Sequence, residues 1–192
     1  MAKRALHRPA PAGIAPVPVR WVFFALAALT SVAVAQDIHP DIHYVPTSNS
    51  VMDAMFKLAS VTADDIVYDL GSGDGRIVIA AARKLGARGV GVELDPALVK
   101  KANDNARKAG VADKVRFVEG DLFKADLSDA TVVMLYLSPT TNLRLAPKLQ
   151  RELRPGARVV SNRFDMGDWK PDAEVKAGGR RIFLWRIGSA AP

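Results

Sequence analysis

Val67-Tyr68-Asp69-Leu70-Gly71-Ser72-Gly73-Asp74-Gly75-Arg76 is the stretch on which the fold turns. A short apolar run from Ile66 meets three glycines at alternate positions, and Ile77 to Leu85 then has helical spacing up to Gly86. A strand that bends sharply into a helix opens a β-α-β unit, and glycines at the bend let a ligand approach the backbone. Upstream, Thr47 or Ser48 is placed to cap a helix with Val51, Met55 and Leu58 on one face. Downstream, Gly89 to Glu93 is a second strand, and Asp95 caps a helix that has Pro96 first and Gly110 as its stop. Val115 to Val118 is a third strand. Thr131 to Leu137 is apolar throughout, as a strand buried on both faces requires. Ser138-Pro139 opens a helical region that Pro147 is expected to break and restart. Gly156 to Ser161 and Ile182 to Ile187 complete the series. Strands alternating with helices predict an α/β, Rossmann-like fold: a mostly parallel twisted sheet with helices on both faces.

The charges around the glycines select the ligand. A dinucleotide loop reads G-x-G-x-x-G and receives a pyrophosphate at the helix N-terminus. Here the last glycine, Gly75, comes one position early and Arg76 stands in the third glycine's place. Asp69 and Asp74 would repel a pyrophosphate, and no Gly-Lys-Ser/Thr follows to make a P-loop. S-adenosylmethionine carries an ammonium and a sulfonium and no phosphate, so carboxylates attract it. Gly71, Ser72, Gly73, Asp74 and Gly75 are therefore candidate contacts, together with Asp69. Glu93 ends the second strand, where an acid accepts both ribose hydroxyls. Asp121, after the third strand, is placed to accept from the adenine amino group. A glycine turn with no ligand is the bland alternative for the loop, and a solvated acid that for Asp121.

The 192 residues suffice for one domain and a short extension. With no cysteine, disulfides, thiolate metal sites and a cysteine nucleophile are excluded. The histidines are His7, His39 and His43, so chemistry in the main domain runs without imidazole. Pro40 argues against a helix presenting His39 and His43 to a metal. The net charge is +7, but Lys3, Arg4, Arg8 and Arg20 carry four of the positive charges. Residues 36–192 then hold 23 basic against 20 acidic side chains, or +3, and no nucleic-acid partner is expected. Residues 1–35 combine that basic start with an apolar run from Trp21 to Ala33-Val34-Ala35. This is a secretory signal pattern, or an uncleaved anchor touching the membrane through residues 17–35. Both place the domain, residues 36–192, outside the cytoplasm. An organelle address is a third reading.

Taken together, these residues resemble the class I S-adenosylmethionine-dependent methyltransferases. Tyr44-Val45-Pro46-Thr47 and Leu135-Tyr136-Leu137-Ser138-Pro139 narrow the likeness to one branch, which Asp168-Trp169-Lys170-Pro171 also resembles. That branch holds the protein-lysine methyltransferases related to the ATP synthase c-subunit and adenine nucleotide translocase enzymes, with the archaeal broad-specificity lysine methyltransferases. The resemblance covers roughly residues 42–187, and implies S-adenosylmethionine as cofactor and a protein lysine as acceptor. It implies that Tyr44 and Thr47 lie against the donor, and that Leu137, Ser138 and Pro139 sit beside the transferred methyl. Tyr136 is either a neighbour of that point or part of the sheet core. The Asn/Asp-Pro-Pro-Tyr segment of many adenine and glutamine methylases is absent. The resemblance also implies a compact C-terminal end with little room for a further long helix. A small-molecule acceptor, or a donor-binding domain without catalysis, stands as the alternative.

Overall fold

The computed structural model describes residues 46–188. These residues all belong to one compact unit within Ile42–Pro192. Their elements are α1 (Asn49–Ala59), β1 (Ile66–Leu70), α2 (Arg76–Leu85), β2 (Arg88–Glu93), α3 (Pro96–Ala109), β3 (Val115–Glu119), β4 (Val132–Leu135), α4 (Pro139–Glu152), β5 (Arg158–Asn162), β6 (Ala173–Ala177) and β7 (Arg180–Arg186). The expected signal or anchor at 1–35, and Tyr44, lie outside the described residues. Among the described residues no helix is long and apolar enough to cross a membrane.

The strands form one sheet in the order β3-β2-β1-β4-β5-β7-β6. β3 to β5 are joined by parallel ladders, and β7 runs antiparallel to both β5 and β6. Alternation along each strand sends side chains to opposite faces. Val67, Val132, Met134, Val160, Ile182 and Leu184 meet Val51 and Met55 of α1 and Ile77 and Ala81 of α2. Phe117 meets Ala102 and Ala106 of α3 on the same side. Tyr68, Leu70, Leu135, Val159, Phe183 and Trp185 face the other way, onto Leu145 and Leu149 of α4. The expected Rossmann-like sheet, mostly parallel with helices on both faces, is the one observed.

Three local expectations are corrected. β4 stops at Leu135, two residues before the apolar run ends, because its partner β1 stops at Leu70 and Gly71 leaves the ladder at φ +81°. Pro147 does not break α4. Its ring removes the bond to the Leu143 carbonyl, but both residues are solvent-exposed, while Asn142, Leu145, Ala146 and Leu149 hold the opposite side buried. β6 was not expected. It forms a hairpin with β7 through Gly178 and Gly179, at φ +57° and +74°, the conformation a two-residue hairpin turn demands. Helix boundaries follow the capping chemistry: Asp95 accepts from the Ala97 N–H at 2.8 Å, and Gly86 and Gly110 end their helices in the left-handed conformation.

Candidate active site

The order of the sheet reverses between β1 and β4, so their connections leave in opposite directions and open a crevice at the carboxyl edge. Residues 71–75 fill one side of it. The Gly71 and Ser72 N–H groups donate to the Val92 carbonyl at 2.8 and 3.0 Å, which ties the loop to β2. The Gly73 N–H donates to Glu93 Oε2 at 2.8 Å. Glu93 Oε1 accepts from the Leu94 and Asp95 N–H groups at 2.8 and 3.1 Å. A carboxylate offers about four acceptor positions, so one is left; receiving two hydroxyls requires one of these bonds to be exchanged. Behind the loop, a Cβ on Gly91 would lie 2.4 Å from the Phe117 ring and 2.6 Å from Ser72 Oγ. Ser72 Oγ is buried and has no hydrogen-bonding partner among the described residues.

Asp69 sits at the floor, 3% exposed. Among the described residues no hydrogen bond reaches its carboxyl group. Burial pushes its pKa well above the ordinary value, and the nearby Glu93 and Asp74 charges push the same way. Asp74 differs, because Arg76 pairs with it, through Nη2 at 2.7 Å and Nε at 2.9 Å. Arg76 also donates to the Thr47 carbonyl at 3.4 Å and so links the loop to the start of α1, where Thr47 is buried. Asp121 is half-buried, with Oδ1 accepting from the Phe123 N–H at 2.9 Å. The neighbouring Gly120 N–H donates to the Glu93 carbonyl at 2.9 Å, so the acids after β2 and β3 stand side by side.

The segment after β4 forms the other wall. Leu137 is 9% exposed, and a Cβ on Gly71 would come within 2.9 Å of its Cδ2. Gly71 therefore has to be glycine twice over, by contact and by φ. Ser138 caps α4: its Oγ accepts from the Thr141 N–H at 3.2 Å and lies 2.8 Å from the Thr141 hydroxyl. Pro139 is the exposed first residue of that helix. Tyr136 is half-buried, and its hydroxyl accepts from Arg180 Nη1 at 2.7 Å with the guanidinium 5.1 Å from the ring centre. The structure thus gathers Thr47, Asp69, the loop, Glu93, Asp121, Tyr136 and Leu137 along one edge. A separate groove of about 790 Å³ runs beside α4 past Leu143, Pro147 and Trp169, and none of the acids above lines it.

Sequence reading missed three residues here. Arg76 counts in the sequence only as the residue standing in a third glycine's place, whereas it is the counter-ion of Asp74. Arg180 had no local motif. Asn162 ends β5 at the same edge and is fully buried, and a polar residue closing an apolar strand was the only signal available. The site fits a ligand that brings positive charge and hydroxyl groups. The acids exceed their local counter-charge, and phosphate would meet carboxylates on both sides.

A family model described as the ANTKMT methyltransferase domain matches residues 69–173. A protein-lysine N-methyltransferase of Saccharolobus islandicus (strain REY15A) is 42% identical over 154 residues, covering 78% of this chain and 96% of that protein. The adenine nucleotide translocase lysine N-methyltransferase of Mus musculus is 43% identical over 127 residues, covering 66% of this chain and 55% of its own. The chain therefore spans about half the length of that mammalian relative and nearly all of the archaeal one. A crystal structure described as an RNA methyltransferase from Salinibacter ruber, in complex with S-adenosyl-L-homocysteine, is 57% identical with a TM-score of 0.75. It covers 77% of this chain and 97% of its own.

The raised pKa of Asp69 has a stability consequence. The fold favours the protonated carboxyl, so the contribution of Asp69 to the stability of the ligand-free protein is greatest below the ordinary aspartate pKa, about 4, and is lost as pH rises through the raised value. Asp69→Asn abolishes that loss. Thermal melts of both proteins between about pH 4 and pH 8 are expected to converge at the acid end, with the variant melting higher at the alkaline end. A wild type that gains on the variant as pH rises contradicts the assignment.

Proposed function

The chain belongs to the ANTKMT methyltransferase family and is an S-adenosylmethionine-dependent methyltransferase, and from that premise we propose that its acceptor is the ε-amino group of lysine in a protein. The observation that carries this reading is the 42% identity to a protein-lysine N-methyltransferase along nearly the whole of that relative. S-adenosylmethionine, when bound, supplies a methyl group already activated on a sulfonium. The protein's own part is to bind, orient and keep the site dry. Asp69 offers its carboxylate to the ammonium group, Glu93 to the ribose hydroxyls and the open oxygen of Asp121 to the adenine amino group. Gly71 to Gly75 and Thr47 line the donor, and Tyr44 joins them by resemblance. Leu137 packs on Gly71 and excludes water, while Ser138 and Pro139 fix where α4 starts and hence where the wall stands. No general base is needed beyond solvent, which takes the proton of the lysine ammonium.

RNA is the second reading, favoured by the description of the 57% identical Salinibacter chain. The charge pattern favours protein. Residues 36–192 carry only +3, and Lys84, Lys100, Arg107, Arg151 and Arg181 are each paired with a carboxylate, not left to track phosphates. Residues 1–35 are proposed to direct the chain to or across a membrane, on the strength of their basic start and apolar run.

Three measurements check these readings. Titration calorimetry with S-adenosylmethionine should show Asp69→Ala and Glu93→Ala each weakening binding by about 1–3 kcal/mol, as for a lost hydrogen bond to a charged group; unchanged affinities would remove both residues from the site. Incubation with labelled donor and a mixed cell extract, followed by digestion and mapping, should place methyl groups on lysines. Label confined to RNA, or to compounds passing a small-pore filter, transfers the acceptor to that class. Intact-mass analysis of the native protein should find a chain starting near Gln36 or a full-length one in the membrane fraction; a full-length soluble protein refutes both.

A further inference from the structure

Asn162 is the last residue of β5, fully buried, and among the described residues neither its amide oxygen nor its amide nitrogen has a hydrogen-bonding partner. Buried amides are ordinarily paired, and one left with both ends open is a liability that an apolar side chain of the same size would not incur. The backbone beside it is strained as well: Arg163 adopts φ +80°, which L side chains avoid. That strain is held in place. Asn142 of α4 donates through Nδ2 to Ser161 Oγ at 3.0 Å and to the Phe164 carbonyl at 3.1 Å, and Ser161 Oγ donates to the same carbonyl at 2.6 Å. The chain on both sides of Asn162 is clamped while its side chain is left without a partner.

Its position explains what that side chain meets. Ser161 points to α4, so Asn162 points to the opposite face, that of Asp69 and α1. The last β4–β5 pair is Leu135 with Ser161, which puts Asn162 level with Tyr136. Tyr136 directly follows β4 and Arg180 opens β7, the strands flanking β5, so their hydrogen bond passes over the end of β5. Along the edge, Glu93 on β2 and Asn162 on β5 are three strand spacings apart, about 14 Å. The acids proposed to hold the adenosine portion lie at one end, and Asn162 lies at the other.

We propose that the Asn162 amide is the hydrogen-bonding group that receives the acceptor amine for methyl transfer. The proposal rests on the lysine reading above. Tyr136, half-buried, turns aside on Arg180 to admit the side chain, and Asn162 Oδ1 then accepts one N–H of the neutral amine. This holds the nitrogen lone pair toward the methyl carbon. The lone pair forms the N–C bond as the S–C bond breaks with its electrons going to sulfur, which becomes a neutral thioether. The methylammonium formed loses its proton to solvent.

The test uses the full chain with Asn162→Leu and Asn162→Asp, reading melting temperature, donor affinity by calorimetry, and the pH dependence of lysine methylation. Asn162→Leu removes an unpaired buried amide, so it should melt at or above wild type, bind donor within about twofold, and lose transfer on the order of 100-fold, the scale of removing one hydrogen bond to a reacting group. Asn162→Asp places a carboxylate beside the ammonium and favours its charged form, so the rising limb of the pH–rate profile should move to higher pH. A leucine variant that melts well below wild type assigns the amide to the fold and overturns the proposal, as does a leucine variant of undiminished rate or an aspartate variant with an unmoved limb. Wild-type protein that methylates no lysine overturns the lysine reading together with this one; wild-type methylation matched by the leucine variant overturns this one alone.

Discussion

Two aspartates at the ends of β1, four residues apart, set the terms for the molecule. Both are buried, Asp65 at 5% exposure and Asp69 at 3%. Burial opposes ionisation of Asp65, but the Thr131 hydroxyl at 2.7 Å, the Thr62 N–H at 2.8 Å and the Arg158 guanidinium outweigh it and hold its pKa below the ordinary value. Asp69 receives no such compensation, and Glu93 and Asp74 add their repulsion. One end of the strand is a satisfied anchor binding β1, β4 and β5 together. The other end carries a buried charge without compensation, which a proton or a cation from outside the chain relieves.

The rest of the site is arranged so that this imbalance persists. Glu93 cannot swing away, because three backbone N–H groups hold its carboxylate. Arg76 could have neutralised Asp69, but Asp74 engages it and leaves the deeper acid alone. Gly91 leaves the space behind the loop that Ser72 and the Phe117 ring occupy, so the loop packs directly on β2 and β3 with no side chain between. Stability surrendered at Asp69, Ser72, Asn162 and Arg163 is concentrated at the carboxyl edge, and the packed faces beneath it carry the fold.

The fold was legible because its signals are local. Asp95-Pro96, Gly86 and Gly110 act on their own backbone neighbours, and helix ends were read where capping chemistry dictates. The loop and its acids were legible because Coulomb's law needs only the residue types and their order. Errors arose where tertiary context decides. Packing of Leu145 and Leu149 carries α4 through Pro147, and the length of β1, not the apolar run, sets where β4 ends. β6 exposes Glu174, Val175 and Lys176 and gives no apolar periodicity, although Gly178-Gly179 offered a turn signal. Tyr136 was ambiguous because its partner, Arg180, is 44 residues away on a strand that sequence could not set beside it.

The place of β7 has a consequence for how the molecule comes into being. It is the last strand among the described residues, yet it inserts between β5 and β6, and Ile182, Phe183, Leu184 and Trp185 enter the cores on both faces of the sheet. Until residue 186 has left the ribosome, β5 presents an unpaired edge, and both apolar layers lack their final side chains. Burial of both faces of the sheet therefore waits on β7, and the parallel strands β3 to β5 do not complete either core by themselves. A sheet completed by its latest strand keeps one open edge and two unfinished apolar layers until that strand docks.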